Sequence, residues 1–111
     1  MFEASRLKEK RDYNVWDGVN VLKSGGSIVM SWGIEKVAPV KASKRDRGLS
    51  FHVNGAKFVG TVVISVNGAD LYDVDFYTDS GEVAKQITDV YVMDLIETID
   101  EFVEKQPEYK F

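Results

Sequence analysis

Cysteine is absent from the 111 residues, histidine occurs once and proline twice. Without thiols there is no disulfide, no thiolate nucleophile and no cysteine metal site. With His52 alone, no histidine pair can hold a metal, and any serine–histidine–aspartate arrangement has to pass through that one imidazole. No serine stands in a Gly-x-Ser-x-Gly turn. No apolar run approaches the roughly 20 residues of a membrane span. Met1 to Asp12 lacks the apolar centre of a secretory leader. A cytoplasmic protein with no membrane partner is the resulting expectation.

The glycines do not supply a nucleotide site. Gly25-Gly26 follows a helical stretch and precedes an apolar alternating one, the reverse of a phosphate-binding turn, and the P-loop lysine is missing. No cofactor and no metal is implied. The Asp70 to Glu82 stretch lacks the spacing and the glycine of a calcium-binding loop.

What the sequence does contain is ordinary for one globular domain over residues 1–111, with 44% hydrophobic and 29% charged residues. Residues 1–11 read as a flexible arm or a short helix and 107–111 as a loose tail. The net charge of −4 is unevenly spread: residues 1–47 balance at +4 and residues 48–111 at −8. Such asymmetry points to a surface of two signs.

The most ordered pattern runs from Gly48 to Thr78. Three alternating stretches, Leu49–Val53, Lys57–Val66 and Asp70–Thr78, are separated by Asn54-Gly55 and Asn67-Gly68. Asn-Gly between such stretches marks a hairpin, because both residues tolerate positive φ. A two-residue turn at Asn54-Gly55 pairs Val53 with Ala56, Phe51 with Phe58 and Leu49 with Gly60. At the second turn that geometry would drive Asp73 and Asp75 into the core. A three-residue loop with Gly68 left-handed avoids this and pairs Val62 with Tyr72. Phe58, Gly60, Val62, Ile64 and Val66 then face the core. Asp73 and Asp75 face away, as a solvated pair near Lys57.

Flanking elements complete the fold. Asp12 caps a helix over Tyr13 to Lys23, with Val15, Trp16, Val19 and Leu22 as its stripe and Trp16 as a core anchor. Ser27 to Val37 alternates as a strand, with Ile28, Met30, Trp32 and Ile34 inward and Val29 outward; Pro39 ends it or marks an edge. Lys41 to Gly48 reads as a mobile polar connection. Val83 to Ile87 suits a fifth strand. Val92, Leu95, Ile96, Ile99, Phe102 and Val103 form a helical stripe capped by Thr88 or Asp89, with an acidic outer face. Strands grouped between two helices imply an α+β fold. The expectation is an antiparallel meander sheet of four or five strands with both helices packed on one face, in two layers.

Two functional readings follow, neither enzymatic. The first is a small acidic interaction protein with a protein partner or a second copy of itself. Its candidate contacts are the outward sheet residues Val29, Val59, Val63, Leu71 and Tyr77, joined by Asp94, Glu97 and Glu101 of the acidic last helix. Apolar residues on a face the core does not need are the mark of an interface. An acidic helix also suits a basic target, and an inhibitor of a nucleic-acid-binding enzyme, of the kind phages and mobile elements carry, matches the size and charge. The alternative is a nucleic-acid-binding module using the basic strand and loop residues Lys36, Lys41, Lys44, Arg45 and Arg47.

Overall fold

The computed structural model describes the backbone of residues 15–42, 45–67 and 69–104, and the side chains of residues 17–41, 48–67 and 69–104. The expected arm 1–11, the tail 107–111, the Asp12 cap, the Trp16 anchor and the left-handed Gly68 lie outside these residues. The elements are α1 (Val15–Ser24), α2 (Ser27–Met30), β1 (Glu35–Ala42), β2 (Arg45–Asn54), β3 (Val59–Val66), β4 (Tyr72–Tyr77), β5 (Val83–Val90), a 3-10 turn (Val92–Asp94) and α3 (Leu95–Val103). The strands form one sheet in the order β1-β2-β3-β4-β5, every pair antiparallel. The α+β meander expected from the pattern is the fold observed.

Among the described residues, α1, α2 and α3 all lie on one face of the sheet. Leu22 of α1, Val29 of α2 and Leu95, Ile99 and Val103 of α3 join Leu49, Phe51, Val53, Val62, Ile64, Val74 and Phe76 in a single core. The spacing of Leu95, Ile99 and Val103 at i, i+4 and i+8 puts them on one stripe, which is why α3 seats firmly. Phe58, Phe76 and Phe102 form an aromatic cluster, with the Phe76 and Phe102 ring centroids 4.4 Å apart.

Both hairpins depart from the predicted register, by the same amount. Val53 faces Gly60 instead of Ala56, and Val62 faces Phe76 instead of Tyr72, so each partner lies four residues further along. Four is even, so every side chain keeps its face. The first loop is longer because α3 claims it. Lys57 N donates to Val103 O at 2.9 Å, Ala56 N donates to Glu104 Oε1 at 2.7 Å, and Lys57 Nζ donates to Glu101 O. The two Lys57 donors satisfy carbonyls that the helix end leaves open, and Ala56 holds the Glu104 carboxylate. Gly55 is required by contact and not by a left-handed turn: a Cβ there would stand 2.4 Å from both Cγ1 and O of Val103. In the second loop Asp70 takes the left-handed conformation, at φ 64°.

The stretch Ser27 to Val37 is not a strand. Gly26 and Gly33 hold φ of 56° and 61°, values an extended strand of non-glycine residues does not use. Between them the chain makes the single helical turn α2 and a tight bend. The core takes Val29 and Trp32, three residues apart, and leaves Ile28 and Met30 outside. Within so short an apolar stretch the two periodicities cannot be separated by pattern. The strand begins only at Glu35 and carries Pro39 on the sheet edge, where a missing N–H costs least. Lys41 and Ala42 close β1 and Arg45 to Gly48 open β2, so most of the expected connection is hairpin.

At the other end β5 continues through Thr88 and Asp89 to Val90, so neither residue caps the last helix; Asp94 stands at that position. The two edge strands are both bulged. Lys36 and Asp89 take φ of 58° and 59° where the β1–β2 and β4–β5 registers shift. Bulges of this kind twist an edge away from further pairing.

Candidate interaction surface

His52 sits on β2 in a row with Thr61 and Tyr77 on the sheet face away from the helices. Its Nε2 lies 2.9 Å from Asp79 Oδ1, in the turn between β4 and β5. With Lys36, Ser50 and these neighbours it lines a concavity of about 470 Å³. A histidine that works as a general base must offer a nucleophile the nitrogen turned away from its carboxylate. That nitrogen, Nδ1, is closed to solvent and has no hydrogen-bond partner among the described residues. The pair ties the β4–β5 turn to β2.

Asp73 and Asp75 are buried, at 6% exposure each, and are not the solvated pair the pattern implied. Asp73 Oδ1 accepts from Asn67 Nδ2 at 2.9 Å and from Asp89 N at 3.1 Å. Lys57 is committed to the end of α3 instead. Among the described residues no three His, Asp or Glu side chains converge to hold a metal.

The outward sheet residues do not form one exposed patch. Val63 and Tyr77 are 2% and 4% exposed within this chain alone, and Leu71 is half-buried. Ser65, Asp73 and Asp75 on the same face are buried as well. Val29 belongs to α2 and to the core. Only Val59, at the start of β3, is exposed. The apolar character of this face is therefore already used in the monomer.

The basic candidates divide. Lys36 lies at the start of β1, and Lys41 near its end, about 16 Å further along at 3.3 Å per residue. Lys41 pairs in register with Asp46, and Arg45 and Arg47 lie on the same hairpin in β2. Lys44 lies outside the described residues, as do the Arg45 and Arg47 side chains. Of the five, only the Lys36 and Lys41 side chains are described, and they stand at opposite ends of β1.

The acidic candidates share one side of α3. Asp94, Glu97 and Glu101 are exposed, opposite the Leu95–Ile99–Val103 stripe. Asp100, beside them, is half-buried and accepts from Trp32 Nε1 at 2.8 Å. Around this acidic side the chain exposes apolar residues that pattern reading missed. Met30 and Met93 are 81% and 85% exposed, and Ile28, Tyr91 and Val92 are exposed too. Two concavities open here, one on each flank of α2. Met30 lines the first, with Val19, Leu22, Val29, Ile34 and Val37. Ile28 lines the second, with Met93, Ile96, Glu97 and Asp100. The available signal was the glycine pair bracketing α2, which breaks the alternation that had placed Ile28 and Met30 in the core.

No family model, curated protein or solved structure matches the chain.

Proposed function

We propose that this chain is a small acidic, non-enzymatic binding protein. It engages another protein through the end of the molecule built from α2, the Val92–Asp94 turn and α3. The observation that carries this reading is the exposure of Met93, at 85%, beside exposed Ile28 and the carboxylate of Glu97, with Met30, 81% exposed, two residues from Ile28 on α2. Apolar residues grouped on a surface and rimmed by polar ones mark interaction sites. Methionine suits such a surface, because its unbranched side chain adapts to a partner's shape. The sheet face named from the sequence gives way to this end, since Val63 and Tyr77 have no area left to offer. A cytoplasmic site of action belongs to the same proposal, in keeping with the cysteine-free sequence.

Photo-cross-linking tests the reading directly. A photoreactive residue placed at position 93, in the native cells, is expected to yield a covalent adduct with a second polypeptide. The same residue at exposed Lys85 on β5 serves as the control. No adduct at position 93, or equal yields at both positions, would remove the proposal.

A further inference from the structure

We infer that this surface recognises one helical segment of its partner through two unlike side chains about two helical turns apart. A bulky apolar residue seats beside Met30, and an arginine or lysine seats beside Met93. The inference rests on the reading of this end as a protein-binding surface and adds the chemistry of the partner.

The two concavities differ in kind. The one beside Met30 has a volume of about 380 Å³, and among the described residues Lys23 is the sole charged one lining it. Its walls are aliphatic, so it favours an apolar anchor and penalises a polar one that finds no partner. The one beside Met93 has a volume of about 410 Å³ and combines a floor of Ile28, Met93 and Ile96 with the carboxylates of Glu97 and Asp100. That combination matches a long cationic side chain, whose methylene stem lies on apolar surface while its head meets an acid. Glu97 is exposed; Asp100 accepts from Trp32 Nε1 through Oδ1, and its second oxygen has no hydrogen-bond partner among the described residues. Asp94 and Glu101 extend the negative field along the same side of α3. An acidic partner residue is repelled here.

The spacing follows from α2. Its Ile28 lines one concavity and its Met30 the other, so the two seats lie on opposite flanks of one helical turn. A helix with its side chains is about 10–12 Å across. Residues i and i+7 of a partner helix are about 10.5 Å apart and share a face. On an extended strand, same-face residues are about 7 or 13 Å apart, and neither spacing fits as well.

The test is a display selection of randomised 16-residue peptides on the full chain. Enriched peptides are expected to carry a bulky apolar residue and an arginine or lysine seven positions apart. Synthetic copies should bind the Glu97→Lys and Met30→Asp chains at least tenfold more weakly than the parent. Copies with the pair moved to five apart should lose at least as much. Both substitutions are at exposed positions, and an unchanged melting temperature confirms that the fold persists. Enriched peptides that lack the pair, yet lose binding to a Met93→Asp chain, would overturn this inference and leave the surface reading standing. Peptides indifferent to Met93→Asp, or no enrichment over the bare matrix, would overturn both. A concentration-dependent doubling of mass abolished by Met93→Asp would make the occupant a second copy and also overturn it.

Discussion

Trp32 Nε1 donates to Asp100 Oδ1 across 2.8 Å, and this bond joins residues 68 positions apart. Trp32 is fully buried and stacks on Phe51 at a centroid distance of 6.4 Å. The indole therefore has a floor in the sheet and a polar handle on α3, and it holds the α2 bend against that helix. Removing the handle by Trp32→Phe should cost about 1.5–3 kcal/mol for a hydrogen bond to a charged acceptor, and more where the smaller ring leaves a gap. Asp100→Asn keeps an oxygen acceptor and should cost less. Urea unfolding of both variants, with Asp100→Ala and the Trp32→Phe/Asp100→Ala pair, isolates the coupling. Independent, additive effects would mean the bond contributes nothing.

The second hairpin depends on a single amide. Asn67 Nδ2 donates to Asp73 Oδ1 at 2.9 Å and to Asp89 Oδ1 at 2.8 Å, while Asn67 Oδ1 accepts from Ala69 N at 2.8 Å. Asn67→Asp changes only one atom group, but it replaces the shared donor with a third carboxylate. The expected loss is about 2–4 kcal/mol at neutral pH, from repulsion among the three carboxylates and the loss of two hydrogen bonds to charged acceptors. Asn67→Ala removes the donor without adding charge and should lose less. Guanidinium unfolding that ranks the two variants in the opposite order would reject this account.

The fold was legible because its signals are redundant. Leu49, Phe51 and Val53, the even positions of β3, and the Leu95–Ile99–Val103 stripe each declare a face independently of where the turns fall. A register error of four residues therefore left the core list intact. Turn geometry was not legible, because the reason for Gly55 lies in Val103, 48 residues away, and not in its neighbours. The segment from Ser27 to Ile34 failed for a related reason. Its pattern fits period 2, and only the positive φ at Gly26 and Gly33 forces the other solution. The candidate site shares that cause: period 2 puts Ile28 and Met30 in the core and hides the surface they form. The acidic side of α3, whose helical period is unambiguous, is exposed as that period implies.

Gly55→Ala tests whether that contact with α3 dictates the residue. A Cβ would meet Val103 O at 2.4 Å, and the backbone there is the end of a packed helix. The loop must move away, and the Lys57 N–H bond to Val103 O at 2.9 Å moves with it. Overpacking of this kind costs about 1–3 kcal/mol. Amide exchange should speed up at Lys57, whose N–H makes that bond. A variant as stable as the parent would show that the loop has room.

The second face of the sheet offers a decisive comparison between two valines of one strand. Val63 and Val59 point the same way from β3, yet Val63 is 2% exposed and Val59 is 44% exposed. Val63 pairs in register with Ser50 and with Asp75, itself 6% exposed. A lysine at position 63 has to bring its ammonium into that interior or force the face open. The expected loss for Val63→Lys is about 3–5 kcal/mol, typical of a poorly compensated buried charge. Val59→Lys, already half in water, should change stability by no more than about 0.5 kcal/mol. Thermal melts of the two variants at low protein concentration separate the cases without knowledge of any partner. If Val63→Lys melts with the parent and instead abolishes self-association, this face is open in the monomer and serves as an interface after all. If it unfolds while Val59→Lys does not, the apolar residues of this face are interior, and the search for a partner belongs at Met30 and Met93.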